Sequence, residues 1–371
     1  KPSGVWIMAY TTIDNPELYF QTVLWTGNGS SSRSITLDGS EDMQPDWTWI
    51  KARAGSEGTQ QHYLYDSVRG ATKYLQSSTT NVEGTKSNGL SAFASDGFTI
   101  GDDNANNGSS TTYVAWNWLA GGSASSNSDG SITSTVSANQ TAGFSIVSYT
   151  SGQSGVFSIG HGLSSAPKIF IAKSRDSTNN WGFYYTVRGT NTNWMTLDTN
   201  DAQGNNNADP DANGIAGGGV GYTGVYAVLN SSTISIGPTA YANSGTSAIG
   251  YCFAEVKGFS KFGSYTGNGN ADGAFVYTGF RPAFVMTKRT DSTGQWFMHD
   301  NKRVTFNVDN KYLAAQDNAS EQTFTALDKL ASGFKLRTSG TGYNASGGTY
   351  IYMAFAESPF VNSNGVPNNA R

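Results

Sequence analysis

Asp209, Asp211 and Asn213 stand at alternate positions of DPDANG, with Gly214 behind them, inside the long second-repeat segment 199–224. Carboxylate and amide oxygens spaced in this way ahead of a tight glycine turn form the front half of a calcium loop, because calcium takes several oxygen ligands from a flexible loop. The twelfth position counted from Asp209 is Val220, where an EF-hand needs a bidentate Glu, so the motif supports only a simpler Ca2+ loop. The run GDDNANNG at 101–108 is read as turn chemistry.

Other residue types that could do chemistry are sparse. The three histidines, His62, His161 and His299, have no zinc-ligand spacing and no GxSxG elbow accompanies them. Asp66 and Asp300 fall at nearly equivalent places in different repeats, where a structural acid beside an aligned Arg is the simpler reading than a glycosidase pair. Cys252, the single cysteine, lies in the apolar run IGYCFAE and is read as a small buried hydrophobe. No catalytic residue is assigned. Trp194, Tyr222, Tyr226 and Tyr241 stand in or near the variable loops of the second repeat; flat aromatic faces beside Asn and Asp suit stacking against sugar rings.

The elements that must hold these residues come in threes. WTGNG at 25–29 and YTGNG at 265–269 have a worn counterpart, YTSGQ, at 149–153. A Pro-led strand follows each: PDWTWIKAR from Pro45, PKIFIAKSR from Pro167 and PAFVMTKRT from Pro282. They align without gaps, so Lys51, Lys173 and Lys288 correspond, as do Arg69, Arg188 and Arg303 of the segment that comes next. These cations could form three anion- or sugar-binding forks, but their retention in every copy favours a structural role, and function is expected where the copies differ. Each repeat closes on a strand, TYVAWNWLA, SAIGYCFAE or TYIYMAFAE, with large residues on one face and small ones on the other. The TGNG stretches are expected to turn the first hairpin of each repeat.

Composition agrees with short strands and many turns. Of 371 residues 45 are glycine, 13% are aromatic and only 13% are charged. The expected fold is all-β, three tandem homologous antiparallel β-sandwich domains of jelly-roll type. The expected divisions are an N-terminal extension 1–18, repeats at 19–121, 143–258 and 259–360, a linker or hairpin at 122–142 and a tail at 361–371. The second and third repeats join with little slack, so the first is expected to sit more loosely. A net charge of −4 argues against nucleic-acid binding, and no apolar run reaches the roughly 20 residues of a membrane span. The start, KPSGVW, reads as that of a fragment or processed product.

The TGNG starts, the Pro-led strands ending in Lys, DSVRGATKYL at 66–75, SDGFTIG at 95–101, TYVAWNWLAGG at 112–122 and GTYIYMAFAESPF at 348–360 together resemble a repeat module of tail-fibre-like and other virion-surface proteins of marine tailed bacteriophages. The resemblance begins near residue 19; GVWIMAYTTIDNP at 4–16 departs from it. It implies an extracellular virion-surface protein that attaches the particle to a host glycan or receptor, or a structural virion protein (head decoration or tail connector) that binds other virion chains. A polysaccharide-degrading enzyme is a distant third. A homo-oligomer, with a trimer as the guess, and no catalytic residues are further implications.

Overall fold

The computed structural model describes residues 10–151, 156–187, 193–203, 227–237 and 245–369. The protein is all-β, with antiparallel sheets and two four-residue helices among the described residues. One sheet order recurs three times. In the first repeat the order is Phe20–Thr26, Thr112–Trp118, Trp47–Ala54, Tyr63–Asp66. The second repeats it with Phe144–Thr150, Ser247–Phe253, Ile169–Ser174 and Gly182–Tyr185, and the third with Ser260–Thr266, Thr349–Pro359, Phe280–Arg289 and Phe297–Asp300. In each case the closing strand of the repeat lies between the opening strand and the Pro-led strand. A period-two alternation of large and small residues suits that central position, where both faces are covered.

The two faces of those central strands are buried against different things. Trp116 and Trp118, Tyr251 and Phe253, and Met353 and Phe355 all enter one core common to the three repeats. Trp47 stacks on Tyr251 with ring centres 4.4 Å apart, Trp118 meets Phe284 edge-on at 6.0 Å, and Phe253 meets Phe355 at 5.9 Å. The small face packs outward: Ala115, Cys252 and Ala354 each contribute to a separate core belonging to one repeat. Each of those outer cores is closed by a few short strands, such as Arg33–Ile35, Leu90–Ala94 and Gly97–Ile100 in the first repeat. The first repeat is therefore not set apart, since four of its five tryptophans, Trp47, Trp49, Trp116 and Trp118, lie in the common core. Burial of large aromatics, each worth roughly 1.5–3 kcal/mol relative to exposure, gives that core its weight.

Between the first two repeats, Ser125–Asn127 and Ser134–Asn139 form a hairpin that extends the second sheet by pairing with Phe144–Thr150. The TGNG stretches do something other than turn a hairpin. The strand that ends at Thr26 pairs with Thr112–Trp118, and the following loop is latched onto a short helix near the end of the same repeat. Gly29 N–H donates to the Asn107 carbonyl (2.8 Å) and Asn28 N–H to Asn107 Oδ1 (3.1 Å). In the third repeat Gly269 and Asn268 make the same two bonds to Asn344, at 2.9 and 2.8 Å. Gly29 and Gly269 have φ of +68° and +67°, which glycine adopts without penalty. Gly27 is required by proximity, since a Cβ there would lie 2.1 Å from the Gly108 carbonyl oxygen.

Candidate functional site

The aligned lysines lie at the joints between repeats. Each is fully buried and donates to the carbonyl of its own next residue and to the neighbouring repeat, and Lys51 and Lys173 also bond a turn of their own repeat. Lys51 Nζ reaches the carbonyls of Ala52 (2.7 Å), Gly58 (2.8 Å) and, in the third repeat, Asn318 (3.3 Å). Lys173 Nζ reaches those of Ser174 (3.0 Å), Ser177 (3.2 Å) and, in the first repeat, Thr80 (3.2 Å). Lys288 Nζ reaches those of Arg289 (2.8 Å) and, in the second repeat, Asp201 (2.7 Å). First to third, second to first and third to second close a ring, which is the connectivity of a pseudo-threefold axis. Burial pulls the ammonium of Lys51 down to about 7 and those of Lys173 and Lys288 to about 8.

The arginines hold the second layer of the joints. Arg69 Nε donates to Asp66 Oδ2 (2.5 Å), its backbone N–H to Asp66 Oδ1 (2.8 Å) and its NH2 to the Leu64 carbonyl (2.8 Å). Arg303 repeats all three bonds, to Asp300 and the Met298 carbonyl, at the same distances. Each acid then receives one bond from the next repeat: Trp116 Nε1 donates to Asp300 Oδ2 (3.0 Å) and Tyr251 OH to Asp66 Oδ2 (2.8 Å). Burial would raise the Asp300 carboxyl, but the Arg303 guanidinium outweighs it and holds the group below its usual range. Arg188, the aligned residue of the second repeat, lies outside the described residues. There the acid's position is taken by Tyr185, whose hydroxyl donates to Gln203 Oε1 (2.7 Å).

A short backbone bond completes each joint, and a side-chain pair is added in two of them. Glu321 N–H donates to the Arg53 carbonyl (2.8 Å), Glu83 N–H to that of Arg175 (2.7 Å) and Gln203 N–H to that of Thr290 (2.8 Å). In the first two the side chains pair as well: Arg53 with Glu321 at 2.9 and 3.0 Å, Arg175 with Glu83 at 2.8 and 3.0 Å. The third joint has Thr290 and Gln203 in their place. Sequence reading missed Glu83, Gln203 and Glu321, because they follow loops of unequal length and no gap-free alignment reaches them.

Of the proposed ligand-binding aromatics only Trp194 lies within the described residues. It is half-buried on the strand Asn193–Thr196, paired in register with Tyr184 and packed against the core of the second repeat. Tyr222, Tyr226 and Tyr241, and the calcium-loop candidates Asp209, Asp211 and Asn213, lie outside the described residues. Among the described residues no group of three or more His, Cys, Asp or Glu is placed to hold a metal ion. The histidines are separated and internal. His62 Nδ1 accepts from Trp49 Nε1 (2.8 Å), and His161 Nδ1 accepts from Leu163 N–H (3.1 Å) while Nε2 faces the Asn230 carbonyl (3.1 Å). His299 Nε2 contacts Tyr343 OH (3.0 Å). Burial lowers the pKa of all three, so they are neutral at neutral pH. Cys252 is buried and its thiol is pushed up to about 12 by burial, the setting of an unreactive packing residue.

An open cleft of about 470 Å³ lies elsewhere, at the junction of the N-terminal segment with the second repeat. Thr12, Thr141, Ser164, Ser165, Glu255 and Lys257 line it. Glu255 is already engaged there, accepting from Lys261 Nζ (3.2 Å) and from Phe262 N–H (2.9 Å). None of the residues singled out from sequence reaches this cleft. Among the described residues no helix is long and apolar enough to cross a membrane.

A family model described as a domain of unknown function, DUF7483, matches residues 15–359, nearly the whole chain, and the chain belongs to that family. No curated protein and no solved structure matches it.

Proposed function

We propose that this member of the DUF7483 family is a virion-surface protein of the tail-fibre, receptor-binding type, which attaches a bacteriophage to its host by recognising a surface glycan through its loops. The observation that supports this reading is how the repeated residues are spent. The lysines of all three copies, and the Arg–Asp pairs of the first and third, hold the repeats around a common core. Such a body fixes the points from which its peripheral loops project, and binding residues are commonly carried on loops set by a rigid scaffold. The long loop with DPDANG and the aromatics around it is where the second repeat departs from its neighbours, and it is the proposed recognition element. A structural virion protein that binds only other virion chains is the second reading, and it draws on the exposed aromatic pair Phe275 and Tyr277.

The test is binding of fluorescently labelled protein to a panel of marine bacterial cells, run together with competition against phage adsorption. Saturable binding that blocks adsorption is expected, reduced by deletion of 204–226 without loss of the cooperative unfolding transition. Absence of binding to every host of a phage that carries the protein would overturn the attachment reading in favour of the structural one.

A further inference from the structure

The three repeats serve as controls for one another at an edge strand of each outer sheet. Phe275–Tyr277 pairs with Gly333–Leu336 and is the last strand of its sheet, with Phe275 opposite Lys335 and Tyr277 opposite Gly333. Arg33–Ile35 and Phe157–Gly160 occupy the same place in the first and second repeats. The registers align Phe275 with Ser34 and Ser158, Val276 with Ile35 and Ile159, and Tyr277 with Thr36 and Gly160. The middle position is buried in all three copies, as the outer core demands. The flanking positions are small or polar in two copies and aromatic in the third, where Phe275 is 48% and Tyr277 54% exposed. The fold does not require these rings, because two copies close without them.

The backbone at this edge also has a definite state. Leu336 N–H donates to the Ala274 carbonyl and Thr278 N–H to that of Ser332, so even-numbered residues face the sheet and the main-chain groups of Phe275 and Tyr277 face outward. The second repeat has the same edge covered. Ile132 N–H donates to the Ser158 carbonyl (3.1 Å) and Ser158 N–H to Ser131 Oγ (2.8 Å), both partners supplied by the segment between the first two repeats. No such segment joins the second repeat to the third. In the first repeat the position of Ala274 is held by Arg33, which bonds the Thr26 carbonyl, whereas beside Phe275 the ions are already matched: Lys335 with Asp272 (2.7 Å) and Arg337 with Asp328 (3.1 Å). Exposed, uncharged, aromatic edges are those that natural sheets otherwise avoid.

We propose that Phe275–Tyr277 is a self-association surface, at which the strand pairs antiparallel with the same strand of a second copy about a twofold axis at Val276. This arrangement is self-complementary. Phe275 of each copy lies opposite Tyr277 of the other, the outward N–H and C=O groups of both residues form reciprocal bonds, and the rings meet as cross-strand aromatic pairs. Internal neutrality of the flanking ions means that two copies meet without like-charge repulsion. Tyr10 OH, bonded to Tyr277 OH (2.7 Å), fixes one ring in advance. The inference is independent of the attachment reading.

The test is the mass of the full chain by light scattering and sedimentation from about 1 to 200 µM, a range that brackets weak association. The expected result is a mass that rises from 39.3 kDa toward twice that value, with backbone amide exchange at Phe275 and Tyr277 slowing as concentration rises. The double variant Phe275→Ser, Tyr277→Thr takes the residues of the first repeat and should remain at 39.3 kDa with an unchanged unfolding transition. Tyr277→Lys, a single charged guard on the same edge, should do likewise. A wild-type chain that stays monomeric throughout, including one whose edge binds a glycan or a foreign peptide instead, overturns the proposal. So does an oligomer that persists in both variants.

Discussion

Trp116 of the first repeat donates its indole N–H to Asp300 of the third across 184 positions of sequence, and the same carboxylate oxygen accepts from Arg303. Asp66 stands in the same relation to Tyr251 and Arg69. Such an acid is both a partner for a buried cation and an acceptor for the neighbouring repeat. Asp300→Ala strands Arg303 in the interior and should cost about 3–5 kcal/mol of unfolding free energy. Trp116→Phe removes one bond to a charged acceptor and part of a ring, and should cost about 2–3 kcal/mol. Urea denaturation of the two variants and their combination checks both figures, with non-additivity expected because the residues touch.

The unequal joints give a second expectation. Arg175 and Glu83 are largely buried and bidentate, so their double-mutant cycle should return a coupling of about 1 kcal/mol. Thr290 and Gln203 hold the matching positions without charge. Installing Thr290→Arg together with Gln203→Glu should produce a favourable coupling of similar size, measured as the difference between the double variant and the sum of the singles.

Much of this was legible in the sequence, for a physical reason. Lys51, Lys173 and Lys288 stand on gap-free strands, so alignment put them in register without a structure. The large and small faces of the closing strands were equally plain from period two. What the large face met was not legible: Trp116, Tyr251 and Met353 enter a core shared by all three repeats, and periodicity carries no information about which surface covers a face. Local propensity predicts hairpin turns at the TGNG stretches, but their glycines serve a long-range latch to Asn107 and Asn344. The oddity of Phe275 and Tyr277 was not legible, because their counterparts, Ser34 and Thr36, align only through strand pairing.

Protonation should tune stability with a definite sign. Folded Lys51 titrates near 7 and folded Lys173 and Lys288 near 8, all below the unfolded value. Below those values the lysines are charged in both states and contribute no slope. Between about pH 7 and 9 the folded chain binds fewer protons than the unfolded one, so the unfolding free energy rises with pH, by at most about 1.4 kcal/mol per unit for each lysine. Cys252 acts the other way, since burial pushes its thiol up to about 12 and the unfolded chain releases that proton first. The buried tyrosines, Tyr251 among them, are raised for the same reason and oppose stability at still higher pH. The urea midpoint should therefore climb from pH 7 to about 9 and fall beyond about 10, and Lys173→Met should flatten the climb.

Cys252 offers a clean probe of opening. It is buried beneath the outer sheet of the second repeat, so a maleimide reagent should leave it unmodified in the native protein. Labelling in native buffer should proceed only at the rate of global unfolding, which mass spectrometry of the intact chain can follow over days. Rapid modification of folded protein would show that the second repeat opens by itself.

The central claim is that three repeats fold as one body around one core. Equilibrium unfolding in urea, followed in parallel by tryptophan fluorescence, Cys252 accessibility and far-ultraviolet circular dichroism, tests it most directly. The account predicts coincident transitions, with fluorescence from Trp47, Trp49, Trp116 and Trp118 of the first repeat lost at the same urea concentration at which Cys252 of the second becomes reactive. An earlier, separate fluorescence transition, with Cys252 still protected, would contradict it.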